Sequence, residues 1–267
     1  MSTLPTGFYI FGFGLFGIVF GSFLNAVIYR VPNKISLNGR SSCPKCEGMI
    51  KAYDNIPVLS WLILRGKCRS CKEKISMRYP LIELANCLIW IFLYLRIGLH
   101  PILFLLLVMS SVSLVLTLID FDTLTLPDVI VMPSWLIVGA SLIAISYSTH
   151  SWHSLKSASI AAVYWGLFYF ALWFFYPGGG GIGFGDVKLA PLLGALVGWF
   201  SLPASYIGIF SVFIVGGVLA IVLLALKKVD RKTKIPYGPI MIIGAWIGIV
   251  WGVTLSHLYL HLLGLRS

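Results

Sequence analysis

The chain has 267 residues, of which 58% are hydrophobic and only 11% charged, and its mean hydropathy is +0.93. Soluble globular domains carry about 25% charged residues, so that class is excluded and the composition is that of a bilayer protein with little room for aqueous domains. A net charge of +11 would point to nucleic acid in a soluble protein, but in a membrane protein it is first read as topology.

Apolar stretches long enough to cross the hydrocarbon core, about 20 residues each, fall near 8–29, 81–99, 101–119, 129–147, 156–176, 187–202, 204–226 and 238–261, the sixth being the weakest. The expectation is an all-α polytopic protein of about eight transmembrane helices. The first stretch has no Lys or Arg before Arg30, so it lacks the basic start of a secretory signal and reads as a retained anchor. The segment 30–78 then carries eleven Lys or Arg against Glu47, Asp54 and Glu73, which supplies +8 of the total. Positive charge marks the cytoplasmic side, so this loop is expected inside. With eight alternating spans the second basic cluster, at 227–234, also falls inside and both termini fall outside. The organisation expected is a first helix over 1–29, a cytoplasmic loop over 30–79 and a membrane-embedded core over 80–267.

The loop contains Cys43-Pro44-Lys45-Cys46 and Cys68-Arg69-Ser70-Cys71, two C-x-x-C pairs 21 residues apart. Each pair can clasp a metal through a tight turn, and four thiolates suit a closed structural Zn²⁺ in a small zinc-ribbon-like fold. Lys45, Lys67, Arg69 and Lys72 would offset the excess negative charge of four thiolates around one Zn²⁺. Disulfides are the competing reading, but they require an oxidising compartment and the topology puts the loop in the reducing one. Nucleic acid is not expected as a partner, since orientation in the membrane already accounts for the cations. Cys87, alone in the second span, reads as a small buried hydrophobe.

The chain has nine acidic residues, and those touching apolar spans are informative because a carboxylate is costly there. Asp120 ends the third span, Asp122 and Asp128 follow, and Asp186 opens the sixth after Gly183-Phe184-Gly185. In the expected topology the end of the third span and the start of the sixth meet the same cytoplasmic face. Asp120 and Asp122 lie about 200° apart around a helix, so only one can face Asp186, and Asp120 is the deeper. Two carboxyls brought close share a proton, one activating water while the other acts as an acid, as in aspartyl proteases. The spacing alone is equally consistent with an ion- or proton-coupled transporter. Asp128 reads as a helix cap and Lys188 as a cation snorkelling to headgroups. Glycines 178–181 make no phosphate loop, since no strand precedes them and no Gly-Lys-Ser/Thr follows.

Taken together these motifs resemble the prepilin peptidase family, the type IV leader peptidases. The segment 21–32 (GSFLNAVIYRVP) resembles the family's first-helix ending, and the paired cysteines its zinc-binding cytoplasmic loop. The segment 78–84 (RYPLIEL) resembles the entrance to its second helix. Residues 120–128 are similar to its first catalytic block, 183–189 to its GxGD block and 235–239 (IPYGP) to its last-helix entrance. GxGD alone is shared with presenilin-like proteases, which lack such a cysteine loop. The resemblance implies that Asp120 and Asp186 are the catalytic aspartates, cleaving the basic leader of prepilins or pseudopilins after a glycine at the cytoplasmic face of the bacterial inner membrane. It implies Cys43, Cys46, Cys68 and Cys71 as zinc ligands. It also implies N-methylation of the new terminus from S-adenosylmethionine, an activity linked to the cysteine loop, although no residue is assigned to the methyl donor. Two other readings stand beside it: the transporter with a zinc-stabilised loop, and a non-enzymatic zinc adaptor. His257 and His261 share an i, i+4 face but lack a third ligand and read as interfacial.

Overall fold

The structure is a computed structural model that describes residues 5–43, 45–176, 182–226, 235–262 and 264. The glycines 178–181 and the basic cluster 227–234 singled out in the sequence lie outside these residues. Among the described residues the regular structure is helical, with isolated β-bridges in the cysteine loop. Seven helices are long and apolar enough to span a bilayer: α1 Thr6–Arg30, α3 Arg78–Ile97, α4 Pro101–Thr123, α5 Asp128–Thr149, α6 Trp152–Phe175, α8 Leu202–Ala225 and α9 Gly238–Leu262. A short α2, Leu59–Ile63, belongs to the cysteine loop. The protein is thus a multi-pass membrane protein built of helices.

The sixth apolar stretch corresponds to α7, Phe184–Gly198, whose 15 residues span about 22 Å against a hydrocarbon core of roughly 30 Å. It is short for a local reason. Ser201 accepts a hydrogen bond from the Ala204 N–H at 3.1 Å, and Pro203 follows in the first turn, so a new helix starts at Leu202 and the chain turns before it. Conversely, α4 runs four residues beyond the expected end of the third span, which keeps both Asp120 and Asp122 on regular helix.

The chain packs as two compact units, Met1–Val115 and Leu116–Ser267. In the first, α1 and α3 meet along Gly14, Gly17 and Gly21 of α1. A Cβ on Gly17 would stand 2.9 Å from the Cys87 Cα, and one on Gly21 would stand 2.7 Å from the Glu83 Cα. Such close backbone approach is how membrane helices gain packing when lipid offers no hydrophobic drive. Asn86, fully buried on α3, ties the pair together: its Nδ2 donates to the Gly17 carbonyl at 2.8 Å and its Oδ1 accepts from Ser111 at 2.8 Å. Trp90 Nε1 donates in turn to the Ser111 hydroxyl at 3.0 Å. Every side-chain polar atom in that chain has a partner, as a low-dielectric interior requires.

The second unit repeats the device. On α7, Gly194 and Gly198 admit α6, and on α9, Gly244, Gly248 and Gly252 admit α8. The tightest approach is at Gly198, where a Cβ would fall 2.3 Å from the Ala161 Cβ and 2.9 Å from the Ser157 carbonyl oxygen. Gly198→Leu is therefore expected to separate α6 from α7 and lower stability by about 1–3 kcal/mol. Gly139→Leu, at an exposed α5 site with no atom within 4 Å, is expected to leave it unchanged. Thermal unfolding of the two variants in detergent checks the contrast.

Candidate active site and metal centre

Asp120 and Asp186 both lie in the second unit, and both are buried, at 5% and 6% exposure, while Asp122 is exposed. The helical continuation of α4 accounts for that contrast, because it turns Asp120 and Asp122 to opposite sides. Beyond Asp120 the helix closes: Leu124 adopts a left-handed backbone at φ 54° and its N–H donates to the Asp120 carbonyl at 2.9 Å. Pro127 then sets the extended turn from which α5 starts.

Each carboxylate is held by a backbone N–H at a helix N-terminus. Gly238 opens α9 and donates to Asp120 Oδ2 at 3.1 Å. Asp186 is the third residue of α7 and reaches back to accept the Gly183 N–H at 2.7 Å, while its own N–H donates to the Gly183 carbonyl at 3.0 Å. Helix N-termini carry partial positive charge and unsatisfied donors, which suit an acid that must sit at the edge of an apolar region. Two glycines make the approach possible. A Cβ on Gly238 would stand 2.9 Å from Asp120 Oδ2, and one on Gly185 would stand 3.1 Å from the Leu126 Cβ. The two carboxylates are close enough that Asp186 senses the charge of Asp120. Tyr169 and Tyr237 also lie within electrostatic range of Asp186.

Lys188 does not snorkel freely. Its Nζ donates to both oxygens of Asp128, at 2.7 and 2.8 Å, and joins the start of α5 to the first turns of α7. Trp135 on α5 strengthens that junction by donating to the Lys188 carbonyl at 3.0 Å. Asp128 is the first residue of α5, with Pro127 rather than Asp128 in the capping position. In the first unit, Glu83 accepts the Val58 N–H at 2.7 Å and Asn25 donates to the Tyr79 carbonyl at 3.2 Å. Those bonds give both residues structural partners. Val58 holds its N–H there at φ 60°, a strained position for a β-branched residue.

The four loop cysteines converge. Their sulfurs all lie within 4.8 Å of one another, and Cys43 Sγ is 3.9 Å from Cys71 Sγ, far beyond a disulfide and near the edge of about 3.8 Å for a tetrahedron of Zn–S bonds. Among the described residues this is the one His, Cys, Asp or Glu cluster with metal-ligand geometry, and His257 and His261 join none. The halves share one backbone pattern. The Cys43 N–H donates to the Gly48 carbonyl and the Glu47 N–H to the Cys43 carbonyl; the Cys68 N–H donates to the Glu73 carbonyl and the Lys72 N–H to the Cys68 carbonyl. Glu47 and Lys72 occupy the same left-handed position, at φ 55° and 59°, and a β-bridge closes each half, at Ser42–Met49 and Lys67–Lys74.

Backbone N–H groups of Cys46 and Lys45 pull the Cys43 thiol down to about 7. Cys71 has the Glu73 N–H to favour its thiolate, yet burial and the other three sulfurs push it up to about 11. Four sulfurs so close cannot all ionise unless a cation joins them, so the donor set fits Zn²⁺. Of the cations expected to offset the cluster, Arg69 is engaged elsewhere, clasping Asp54 at 2.6 to 3.0 Å.

The convergence of the cysteines and the burial of Asp120 rather than Asp122 are legible in the sequence; the contact of Gly238 with Asp120 and the place of the two tyrosines are not, although the IPYGP segment resembles a helix entrance.

Residues 15–97 match the model of the bacterial peptidase A24 N-terminal domain, and residues 107–225 match that of the type IV leader peptidase family. The chain is similar to the prepilin leader peptidase/N-methyltransferase of Pseudomonas aeruginosa, with 34% identity over 94% of this chain and 93% of the relative. Proteins of the same description from Stutzerimonas stutzeri and Legionella pneumophila are 36% and 30% identical, each over 92% of this chain and over 91% and 93% of the relative. No solved structure gives a significant match. With two consecutive domain models matched in order and relatives aligned over more than nine tenths of both chains, the chain belongs to the type IV leader peptidase family.

Proposed function

We propose that the protein cleaves the leader peptide from type IV prepilins or pseudopilins and N-methylates the terminus so exposed. The observation that carries the peptidase half is that Asp120 and Asp186 are the buried acids of the second unit among the described residues, each with a helix N-terminal N–H on one oxygen. In this reading the ionised member of the pair takes a proton from water, whose oxygen adds to the scissile carbonyl, while the protonated member donates to the carbonyl oxygen. Collapse of the tetrahedral carbon breaks the C–N bond, and the amine leaves with a proton returned by the pair. The transporter reading finds no support among relatives that are named as peptidases.

The methyl group would pass from the sulfonium of S-adenosylmethionine to the deprotonated amine. No residue is assigned to the methyl donor. In this proposal Cys43, Cys46, Cys68 and Cys71 hold Zn²⁺, which organises the loop 30–79 as the element linked to methyl transfer, with 1–29 as the first helix and 80–267 as the peptidase core. The positive charge of the loop supports placing it, and the Asp120–Asp186 site, on the cytoplasmic side of a bacterial inner membrane.

Asp120→Asn or Asp186→Asn in membranes is expected to slow the appearance of a new prepilin N-terminus by at least about a hundredfold, and Asp122→Asn to cost far less. For the metal, elemental analysis of purified protein should return about one zinc per chain, with Cys43→Ser reducing it. Zinc occupancy should fall as pH is lowered, because protons compete with the metal for the four thiolates, and recover as pH rises. Chelation should suppress methyl transfer more than leader cleavage.

A further inference from the structure

Beside the carboxylate pair stand two buried hydroxyls that, among the described residues, have no partner but each other. Tyr169, on α6, is fully buried at 0% exposure. Tyr237 immediately precedes Gly238, whose N–H holds Asp120. The two rings meet edge to face with centroids 6.1 Å apart. Both oxygens are buried and within hydrogen-bonding reach of each other, though not in good geometry; such a pair uses at most one of its two phenol protons, and among the described residues no other partner takes the second, while both tyrosines feel Asp186.

An enclosed hydroxyl with no partner destabilises a fold, and phenylalanine would fill the same ring volume without that penalty. Packing therefore accounts for the rings and not for the oxygens. The other buried unpaired side-chain oxygen, Ser157 Oγ, is twelve residues away on α6, about 18 Å along the helix, so the two tyrosine oxygens are not part of a general deficit on that surface. What sets them apart is their position beside the residues that would meet a peptide bond.

We propose that Tyr169 and Tyr237 form a donor pair for the carbonyl oxygen that gains negative charge as water adds to the scissile bond. Tyr237, adjacent to the Asp120 anchor and with part of the residue exposed, is the catalytic donor, its hydroxyl being enclosed in the free protein and uncovered when a peptide bond enters the site; the fully enclosed Tyr169 is a positioning residue that fixes the Tyr237 ring. No proton leaves either phenol. The carboxyl pair still supplies the acid proton, and the tyrosine hydroxyls contribute hydrogen bonds that strengthen as charge develops. The proposal rests on the reading of Asp120 and Asp186 as a hydrolytic pair.

The test uses the purified full chain, a prepilin substrate, and Tyr237→Phe, Tyr169→Phe and their combination beside wild type and Asp120→Asn. Tyr237→Phe is expected to lower kcat roughly a hundredfold with KM within about twofold, as for loss of one donor to a developing oxyanion. Tyr169→Phe should lower kcat about tenfold, and the double variant should be little worse than Tyr237→Phe because the two act as a unit. All three should unfold at or above the wild-type temperature. A wild-type kcat in Tyr237→Phe beside an inactive Asp120→Asn overturns this proposal alone, and so does a kcat loss that tracks a fall in unfolding temperature. A wild-type rate in Asp120→Asn overturns the aspartate reading and this one with it.

Discussion

A carboxylate placed at the edge of a bilayer needs a hydrogen-bond donor or a partner, and most of the second unit's architecture follows from how that need is met for Asp120 and Asp186. Among the described residues neither acid is paired with a lysine or arginine. Each instead receives one main-chain N–H where a helix begins, Gly238 for Asp120 and Gly183 for Asp186. A fixed amide cannot titrate or swing away, so the carboxylates are solvated without being locked into an ion pair. The one cation in the first turns of α7, Lys188, is drawn off by Asp128.

Glycine is what lets those amides come near enough. At Gly238 a side chain would collide with the very oxygen that its N–H serves, and at Gly185 it would press on Leu126, the same side chain that lies against Gly238. The helix contacts α6–α7 and α8–α9 rest on the same small-residue logic, so the packing that holds the unit together and the approach that builds its site are one device. α7 carries both uses, meeting its cap at Asp186 and lying against Ala161 and Ser157 at its last residue, Gly198.

The parts that sequence reveals are those written locally. Hydropathy located the long helices because roughly 20 apolar residues in a row leave little alternative. The two C-x-x-C pairs announced a four-sulfur centre because the ligand spacing is itself the geometry. The 200° offset of Asp120 and Asp122 followed from helical periodicity and is seen in their opposite burial. What stayed hidden are relations across long separations. The Gly238 amide reaches a carboxylate 118 residues earlier, and the Lys188–Asp128 pair spans 60. The unpaired state of Tyr169 and Tyr237 cannot be read from any pattern, since it is a property of what surrounds two oxygens in three dimensions.

The duplicated backbone pattern of the cysteine loop has its own consequence. In each half, two sulfurs are presented by hydrogen bonds that close within six residues, so the geometry of each chelating clamp is set locally rather than by the rest of the loop. An ion captured by one clamp then meets the other as a tethered neighbour, at an effective concentration set by the intervening chain rather than by the solution. In the proposed zinc-bound form, capture of the ion by this loop would proceed in two stages, the second drawing the polypeptide between the clamps into register.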